Sequence, residues 1–205
     1  MSISVFIDGA HGTTGLEIRE RLAGRSEISL ISLDEARRKD TVARGEALND
    51  SDFVILCLPD DAAREAVSLI DNDRTRVIDA STAFRTAEGW TYGFPELEPG
   101  QTAAIAEAKR VSNPGCYPTG FLALVRPLVR AGLVPVDWAI SVNAVSGYSG
   151  GGKAMIADYE ASIHRPQRVL MRWASRTSMC PKCRSMPGWN IRRFSCRRSP
   201  TPIAG

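Results

Sequence analysis

The sequence predicts an α/β fold in which helices cover both faces of a parallel sheet. Short β-branched, apolar segments alternate with segments of helical periodicity from residue 3 to residue 81, and this alternation implies right-handed crossovers between parallel strands. A glycine-rich loop separates the first strand from the first helix. From residue 114 the pattern changes, so the 205-residue chain is expected to contain one α/β domain and the start of an incomplete α+β domain.

The elements of the first domain follow from their residue patterns in turn. Residues 3–9 form an apolar, β-branched run ending in glycine, which is typical of a strand buried on both faces. Residues 13–24 place apolar side chains roughly at helical spacing and end on Gly24, which favours a helix. Three further strands are predicted at 27–33, 52–59 and 76–81, with a helix at 60–70 that begins on aspartates.

The second domain is predicted to begin with a helix and a strand. Residues 119–133 present an apolar face at helical spacing, residues 138–146 alternate as a strand does, and residues 147–153 form a glycine-rich loop. Cys116 is expected to lie at the start of this helix. A thiolate there would lie near the positive end of the helix dipole.

Composition argues against several classes of protein. The sequence has no charged-then-apolar leader with a small-residue cleavage site and no apolar run long enough to span a bilayer, so a cytoplasmic protein without a membrane partner is expected. Five cysteines at irregular spacing predict free thiols rather than a disulfide framework. No metal site is predicted.

The glycine-rich loop is a candidate dinucleotide site. Gly9, Gly12 and Gly15 have the spacing G-x-x-G-x-x-G directly after the first strand and at the start of the first helix. Glycines allow the backbone to approach a pyrophosphate, and the helix N-terminus offers unpaired N–H groups. The loop, with Thr13 and Thr14, therefore predicts a Rossmann-like domain, and the alternative is an ordinary tight turn.

Basic residues after the second strand bear on which dinucleotide is bound. A site specific for NAD usually places an acidic residue there, whereas this chain offers Arg37, Arg38 and Lys39, whose charges suit a 2′-phosphate. NADP is therefore the predicted cofactor. A solvated charged loop is the alternative, and Asp34 or Glu35 could still accept hydrogen bonds from the ribose hydroxyls.

Cys116 is the candidate nucleophile. It follows Asn113, Pro114 and Gly115, a stretch too rich in turn-forming residues for a core. At a helix N-terminus its thiolate would be favoured, as covalent catalysis requires. The alternative is a buried structural thiol, since free cysteine is among the most buried residue types. Cys57, inside the apolar third strand, is predicted to be such a core thiol.

Segments along the chain match one known family in order. They read "DGAHGTTGLEIRERL", "RKD", "DFVILCLPDDAAREAV", "DASTAFR", "YGFPEL", "SNPGCYPTG" and "VSGYSGGGK". On these segments residues 1 to about 161 resemble the shorter form of the N-acetyl-gamma-glutamyl-phosphate reductases of arginine biosynthesis. The resemblance suggests a homo-oligomer that acts on a small molecule and not on nucleic acid.

The resemblance implies NADPH-dependent reduction of N-acetylglutamyl 5-phosphate to N-acetylglutamate 5-semialdehyde. Cys116 would attack the acyl phosphate and form a thioester, which hydride from NADPH would reduce. Asn113 would help to hold the reacting carbonyl. The residues implied to contact the substrate's carboxylate or phosphate are Arg85, Gly147, Tyr148 and Ser149. The alternatives are a surface charge for Arg85 and a mere connector for the glycine loop.

Residues 162–205 depart from the family's pattern. They contain nine arginines, one lysine and no acidic residue, and they lack the family's His-Lys-His-x-Pro-Glu segment, whose histidine acts as acid and base. Cys180 and Cys183 could form half a zinc or redox site, but a second ligand pair is missing. The basic residues lack a folding pattern for nucleic acid. The third interpretation is a shifted reading frame, because the codons permitted for residues 176–194 can spell "HKHVPEMQKHAGLEHPPIF" in the neighbouring frame.

Three regions are therefore predicted. They are an NADP-binding domain at 1–113, the beginning of a catalytic and substrate domain at 114–161, and an out-of-frame, disordered tail at 162–205. Without the histidine segment, activity is expected to be impaired. Two alternatives stay open: a reductase similar to aspartate-semialdehyde dehydrogenase, with the same fold and mechanism, and a catalytically inactive protein that retains the dinucleotide.

Overall fold

A six-stranded sheet, parallel at every strand pair, organises the first of the two compact units into which the chain divides, Met1–Pro127 and Leu128–Gly205. The computed structural model describes residues 2–142, 156, 157, 160 and 161. The strands are β1 (Ile3–Asp8), β2 (Ile28–Ile31), β3 (Phe53–Leu56), β4 (Arg76–Asp79), β5 (Thr91–Tyr92) and β6 (Arg110–Ser112). The helices are α1 (Thr13–Leu22), α2 (Thr41–Asp50), α3 (Asp60–Ser68), α4 (Gln101–Glu107) and α5 (Cys116–Arg130).

The strand order β2-β1-β3-β4-β6-β5 creates a switch point between β1 and β3. The chain leaves β1 toward β2 on one side and then crosses over to place β3 on the other side. In open parallel sheets the crevice at such a point, outside the carboxyl ends of the strands, is where ligands bind. The predicted α/β fold with a parallel sheet is therefore confirmed.

The hydrophobic core of the first unit lies where α2 and α3 pack on the sheet. Val54, Leu56 and Val77 supply the buried side chains of neighbouring strands, and Leu48 of α2 is fully buried against them. Ala63 of α3 is also fully buried, and its small side chain allows the helix to approach the sheet closely. This packing fixes the strand ends from which the functional loops begin.

Four elements of the first unit were absent from the predicted pattern. They are α2, β5, α4 and β6. Helix α2 begins after Asp40, whose Oδ1 accepts hydrogen bonds from the N–H groups of Val42 and Ala43 at 2.8 and 3.1 Å. Such a cap is a helix signal that the charged segment concealed.

Among the described residues of the second unit, residues 128–130 end α5, residues 131–142 form no further helix or strand, and residues 156, 157, 160 and 161 are helical. Gly132, at φ +71°, donates its N–H to the Val129 carbonyl, and Leu133 donates to Leu128 at 2.9 Å, which closes the helix end. The predicted strand at 138–146 is wrong at residues 138–142, which form no strand, and its remainder lies outside the described residues. No helix in the described part of the chain is both long and apolar enough to cross a bilayer.

Candidate functional site

The candidate site lies at the carboxyl edge of the sheet in the first unit. The strands run parallel, so the residues that follow β1, β3, β4 and β6 all emerge at this edge. These residues are Gly9 and its loop, Cys57, the loop of residues 81–85, and the turn of residues 113–116. The fold thereby brings together segments that are far apart in the sequence.

The glycines of the first loop are required by close backbone packing. Gly9 has φ +90°, and a Cβ at this position would lie 2.3 Å from the carbonyl oxygen of Cys57. A Cβ at Gly15 would lie 2.3 Å from the carbonyl oxygen of Gly9. Gly12 precedes α1 and has no side chain to cap it, so the N–H groups of Thr13 and Thr14 begin the helix without a side-chain cap. This arrangement suits an anionic pyrophosphate.

A buried ion pair holds the end of β1, from which the glycine-rich loop begins. Asp8 is the last residue of β1, and its Oδ2 accepts hydrogen bonds from the Nε and Nη2 atoms of Arg44 at 3.2 and 2.9 Å. Both side chains are about nine-tenths buried, and Arg44 also lies 3.6 Å from Glu65 of α3. Since breaking such a pair leaves an uncompensated charge, it holds the carboxyl end of β1 firmly. Arg44 lacked a signal in the sequence because it lies in helix α2, which the residue pattern did not predict.

A cavity of about 240 Å³ adjoins the glycine loop. Residues of β1, β2 and the segments that follow them line it, and Arg38 is the one of the three predicted basic residues that does so. Arg38 pairs with Glu35 at 2.9 Å, whereas Arg37 pairs with Glu46 of α2 at 3.3 Å. The polar lining residues that sequence analysis did not select are Asp8, His11, Arg19 and Ser32. The cavity thus places Arg38 beside the candidate dinucleotide site.

Cys116 is the first residue of α5 and is exposed. The prediction that it lies at the start of a helix is confirmed, although the helix begins three residues earlier than predicted. The turn before it is tied to the sheet because the N–H of Asn113 donates to the carbonyl of Asp79 at 2.7 Å. An exposed thiol on a fixed turn is accessible to a substrate.

The position and the burial of Cys57 differ from those predicted. It lies just past the end of β3 and is half-buried, so the prediction of a core thiol inside the strand is wrong. Its N–H donates to the carbonyl of Asp8 at 2.8 Å, which places it at the switch point. Burial, and after it the Asp79 and Asp8 carboxylates, raise the pKa of Cys57 to about 11. This thiol is therefore a poor nucleophile at neutral pH.

The side chain of Arg85 reaches the cysteine turn. Its Nε donates to the carbonyl of Asn113 at 3.3 Å. A Cβ at Gly115 would lie 2.6 Å from Nη1 of Arg85, so the guanidinium occupies the space that the missing side chain leaves. The structure thus brings Arg85, Asn113 and Cys116 together, with a positive charge next to the turn that carries the thiol.

Asp79 lies at the end of β4 and was not selected from the sequence. Its side chain is fully buried, and its Oδ2 accepts a hydrogen bond from the hydroxyl of Ser81 at 2.7 Å. Among the described residues Oδ1 has no hydrogen-bond partner. Burial raises the pKa of Asp79, and the hydrogen bonds from Ser81 oppose that rise.

Some predicted site residues cannot be placed. Gly147, Tyr148 and Ser149 lie outside the described residues, as does the tail at 162–205. Within the residues that are described, no group of three or more His, Cys, Asp or Glu side chains is arranged to hold a metal ion.

Two family models match the chain. Residues 34–105 match the semialdehyde dehydrogenase NAD binding domain, and residues 116–168 match the semialdehyde dehydrogenase dimerisation domain. The second match begins at Cys116 and ends within the segment that departs from the expected pattern.

Curated relatives are similar over most of this chain. The N-acetyl-gamma-glutamyl-phosphate reductase of Chelativorans sp. (strain BNC1) is 63% identical over 160 residues, which are 78% of this chain and 52% of the relative. The N-acetyl-gamma-glutamyl-phosphate reductase 2 of Pseudomonas putida is 60% identical over 156 residues, or 76% of this chain and 50% of the relative. The chain therefore spans about half the length of the curated relatives that it matches.

Solved structures share the fold at low sequence identity. The aspartate semialdehyde dehydrogenase of Francisella tularensis is 17% identical with a TM-score of 0.60, and the match covers 88% of this chain and 58% of that one. Aspartate semialdehyde dehydrogenase II of Vibrio cholerae is 18% identical with a TM-score of 0.59, covering 79% and 52%. These likenesses support the fold alone.

Proposed function

We propose that this chain, a homologue of the N-acetyl-gamma-glutamyl-phosphate reductases over most of its length, acts in the NADPH-dependent reduction of N-acetylglutamyl 5-phosphate to N-acetylglutamate 5-semialdehyde. One observation carries the proposal beyond homology. The guanidinium of Arg85 lies against the turn of the exposed Cys116, at the same sheet edge as the glycine loop. A nucleophile, an anion-binding group and a dinucleotide loop are the parts that this chemistry needs.

Cys116 is proposed as the nucleophile. Its thiolate attacks the carbonyl carbon of the acyl phosphate, the bond from that carbon to the phosphate oxygen breaks, and phosphate leaves with the electron pair. The product is a thioester on Cys116. Arg85 is proposed to bind the substrate's carboxylate or phosphate, since guanidinium groups form charge-assisted hydrogen bonds with such anions.

The reduction step relies on the same turn. The glycine loop of Gly9, Gly12 and Gly15 would hold a nicotinamide cofactor, which would supply a hydride to the carbonyl carbon of the thioester. Asn113, held to Asp79 through its main chain, is proposed to help hold the reacting carbonyl. When the carbonyl re-forms, the carbon–sulfur bond breaks, and Cys116 leaves as the thiolate with the semialdehyde released. The same sulfur must therefore be both nucleophile and leaving group, which favours cysteine over serine.

The cofactor is proposed to be NADP rather than NAD. The family match supports a nicotinamide dinucleotide, and the position of Arg38 in the cavity lining supports the phosphorylated form. Arg38 and Arg19 together supply positive charge to that cavity, which suits a 2′-phosphate. As an NADPH-consuming biosynthetic enzyme the protein is expected to act in the cytoplasm. The dimerisation-domain match supports a homo-oligomer.

The proposal is tested by running the reaction in reverse. The 205-residue chain is mixed with NADP, inorganic phosphate and either N-acetylglutamate semialdehyde or aspartate semialdehyde, and NADPH formation is followed by absorbance. Phosphate-dependent oxidation of the first aldehyde that Cys116→Ala abolishes supports the proposal. Oxidation of the second alone supports the aspartate-semialdehyde alternative, and cofactor binding without either oxidation indicates an inactive binding protein.

The tail of residues 162–205 bears on the reaction rate that is expected of this chain. The family's histidine segment is missing from residues 162–205, and the loss of a general acid or base typically costs about 10²–10⁴-fold in rate. The chain is therefore proposed to be slow, and a variant with its 3′ codons read in the neighbouring frame is expected to recover that factor. Full activity of the chain in its present frame would contradict the frameshift interpretation.

A further inference from the structure

We propose that helix α3 holds the loop of residues 81–85 in one conformation, with Asp60 and Arg64 as positioning residues that present Arg85 to Cys116. The proposal rests on the proposed function, because it takes Arg85 as the group that binds the substrate's anionic part. The contacts that support the proposal all lie within the first unit of the chain, and they can be tested without measuring turnover.

Asp60 holds the middle of the loop with both carboxylate oxygens. Its Oδ1 accepts a hydrogen bond from the N–H of Thr82 at 2.9 Å, and its Oδ2 accepts one from the Thr82 hydroxyl at 2.6 Å. Charge-assisted hydrogen bonds of this kind are about twice as strong as neutral ones. Asp60 is the first residue of α3, so the position of Thr82 is tied to the start of that helix.

Arg64 holds the next two residues from the following turn of the helix. Residues four apart lie on the same helix face, and accordingly Nη2 of Arg64 donates to the carbonyl of Ala83 at 3.3 Å. Its guanidinium also lies 5.5 Å from the ring centroid of Phe84. Phe84 is buried and stacks on Trp90 with centroids 4.2 Å apart, so its ring is packed on two sides.

The sheet holds the beginning of the same loop. The hydroxyl of Ser81 donates to the buried Asp79 carboxylate at 2.7 Å and accepts from the N–H of Ala83 at 3.1 Å. Residues 81, 82, 83 and 84 thus each have a contact with α3, β4 or the aromatic stack. Arg85 is the next residue, and its side chain extends from this fixed base to the turn of Cys116.

Fixing the base of Arg85 has a consequence for anion binding. A loop that must be ordered when ligand binds loses backbone entropy in that step, and a loop that is already ordered avoids this loss. A displacement of about 1 Å in a positioning group can lower the rate about 10²-fold. The contacts of Asp60 therefore bear on Arg85 although Asp60 touches no reacting atom.

The test compares two reagents of different charge at Cys116. The rates of alkylation of Cys116 by iodoacetate, an anion, and by iodoacetamide, a neutral molecule, are measured in the full chain by peptide mass spectrometry at low ionic strength. The ratio of the two rates cancels changes in exposure and in thiolate fraction, which affect both reagents. A guanidinium near the turn raises the ratio, and Arg85→Gln is expected to lower it roughly 3- to 5-fold, as for one unit charge about 5 Å away in water.

Asp60→Ala is expected to lower the ratio toward that of Arg85→Gln. The direction of this change in the ratio distinguishes the proposal from a simple charge effect, because removing a negative charge near the turn would by itself raise the preference for an anionic reagent. Asp61→Ala is the matched control, because it removes the same charge from the same turn of α3. The side chain of Asp61 makes no hydrogen bond or ion pair with the residues that the structure describes. Asp60→Asn keeps an acceptor for Thr82 and is expected to retain the wild-type ratio or exceed it.

Each outcome decides the proposal. A fall with Asp60→Ala but not with Asp61→Ala or Asp60→Asn supports it. A ratio that stays level or rises with Asp60→Ala overturns it, and so does an unchanged ratio with Arg85→Gln. If Asp60→Ala does not fold, Thr82→Val removes only the hydroxyl contact and is expected to give a smaller fall, whose absence also overturns the proposal. Because the alkylation assay needs no turnover, its result does not depend on whether the proposed reductase activity is observed, and the two proposals can fail independently.

Discussion

Replacing Arg38 with alanine is expected to weaken the binding of NADPH far more than that of NADH. Arg38 lines the cavity beside the glycine loop, whereas Arg37 pairs with Glu46 and does not line it. A 2′-phosphate bound in that cavity would meet the Arg38 guanidinium, and NADH has no such group. The substitution therefore removes an interaction that only one of the two cofactors can make.

The expected size follows from the contacts of Arg38. A charge-assisted hydrogen bond is worth about 1.5–3 kcal/mol. Arg38 already pairs with Glu35, whose side chain is 82% exposed, and an exposed pair of this kind is worth about 0–1 kcal/mol. The difference of about 0.5–3 kcal/mol corresponds to a roughly 2- to 150-fold increase in the Kd of NADPH.

The assay is a fluorescence titration of the 205-residue chain with each cofactor at fixed salt. Arg37→Ala is the control, because it removes the same charge from the neighbouring position. We expect Arg38→Ala to raise the Kd of NADPH and to leave that of NADH nearly unchanged, with little effect of Arg37→Ala. Equal losses for the two cofactors, or equal losses for the two variants, would refute the reasoning.

Three further predictions follow from the site. Cys57, whose pKa is raised to about 11, is expected to be alkylated more slowly than Cys116 at neutral pH; mass mapping that finds Cys57 labelled first would contradict this. Gly115→Ala places a Cβ 2.6 Å from the Arg85 guanidinium and should reduce about tenfold the protection that inorganic phosphate gives Cys116 against alkylation. Unchanged protection would argue against the contact between Arg85 and this turn. The pKa of Asp79 is raised on folding, so the folded state binds this proton more tightly and the free energy of unfolding falls as pH rises through the interval between the unfolded and folded pKa values. Asp79→Asn should abolish that fall, so its free energy of unfolding in urea, relative to that of the wild-type chain, should be higher at pH 7 than at pH 4. A difference of the opposite sign would exclude this role for the carboxyl group.

The parallel sheet and the glycine loop could be predicted because local pattern determines them. The last four residues of β1 are buried, as are Val54 and Leu56 of β3, and the loop between β1 and α1 needs its glycines for close backbone packing. Helix α2 was missed because its buried face consists of two alanines, Leu48 and the charged Arg44, which give little apolar periodicity. Its clearest signal was the cap at Asp40.

The rest of the site depends on contacts between distant residues. Arg85 and Gly115 meet because β4 and β6 are neighbours in the sheet, and nothing in either local segment specifies that pairing. Asp60 and Thr82 likewise meet through the positions of α3 and β4. The alternation at residues 138–142 predicted a strand, yet alternation yields a strand only where a partner strand pairs with it, and none does there among the described residues.

The proposed role of Cys116 as the acyl-accepting nucleophile can be tested by trapping the acyl group. The chain is incubated with N-acetylglutamyl phosphate in the absence of NADPH, digested and mapped by mass spectrometry. We expect an N-acetylglutamyl thioester on Cys116 that is absent from Cys116→Ala and disappears on addition of NADPH, with release of the semialdehyde. An acyl group on Cys57 or another residue, or phosphate release without a Cys116 adduct, would contradict it.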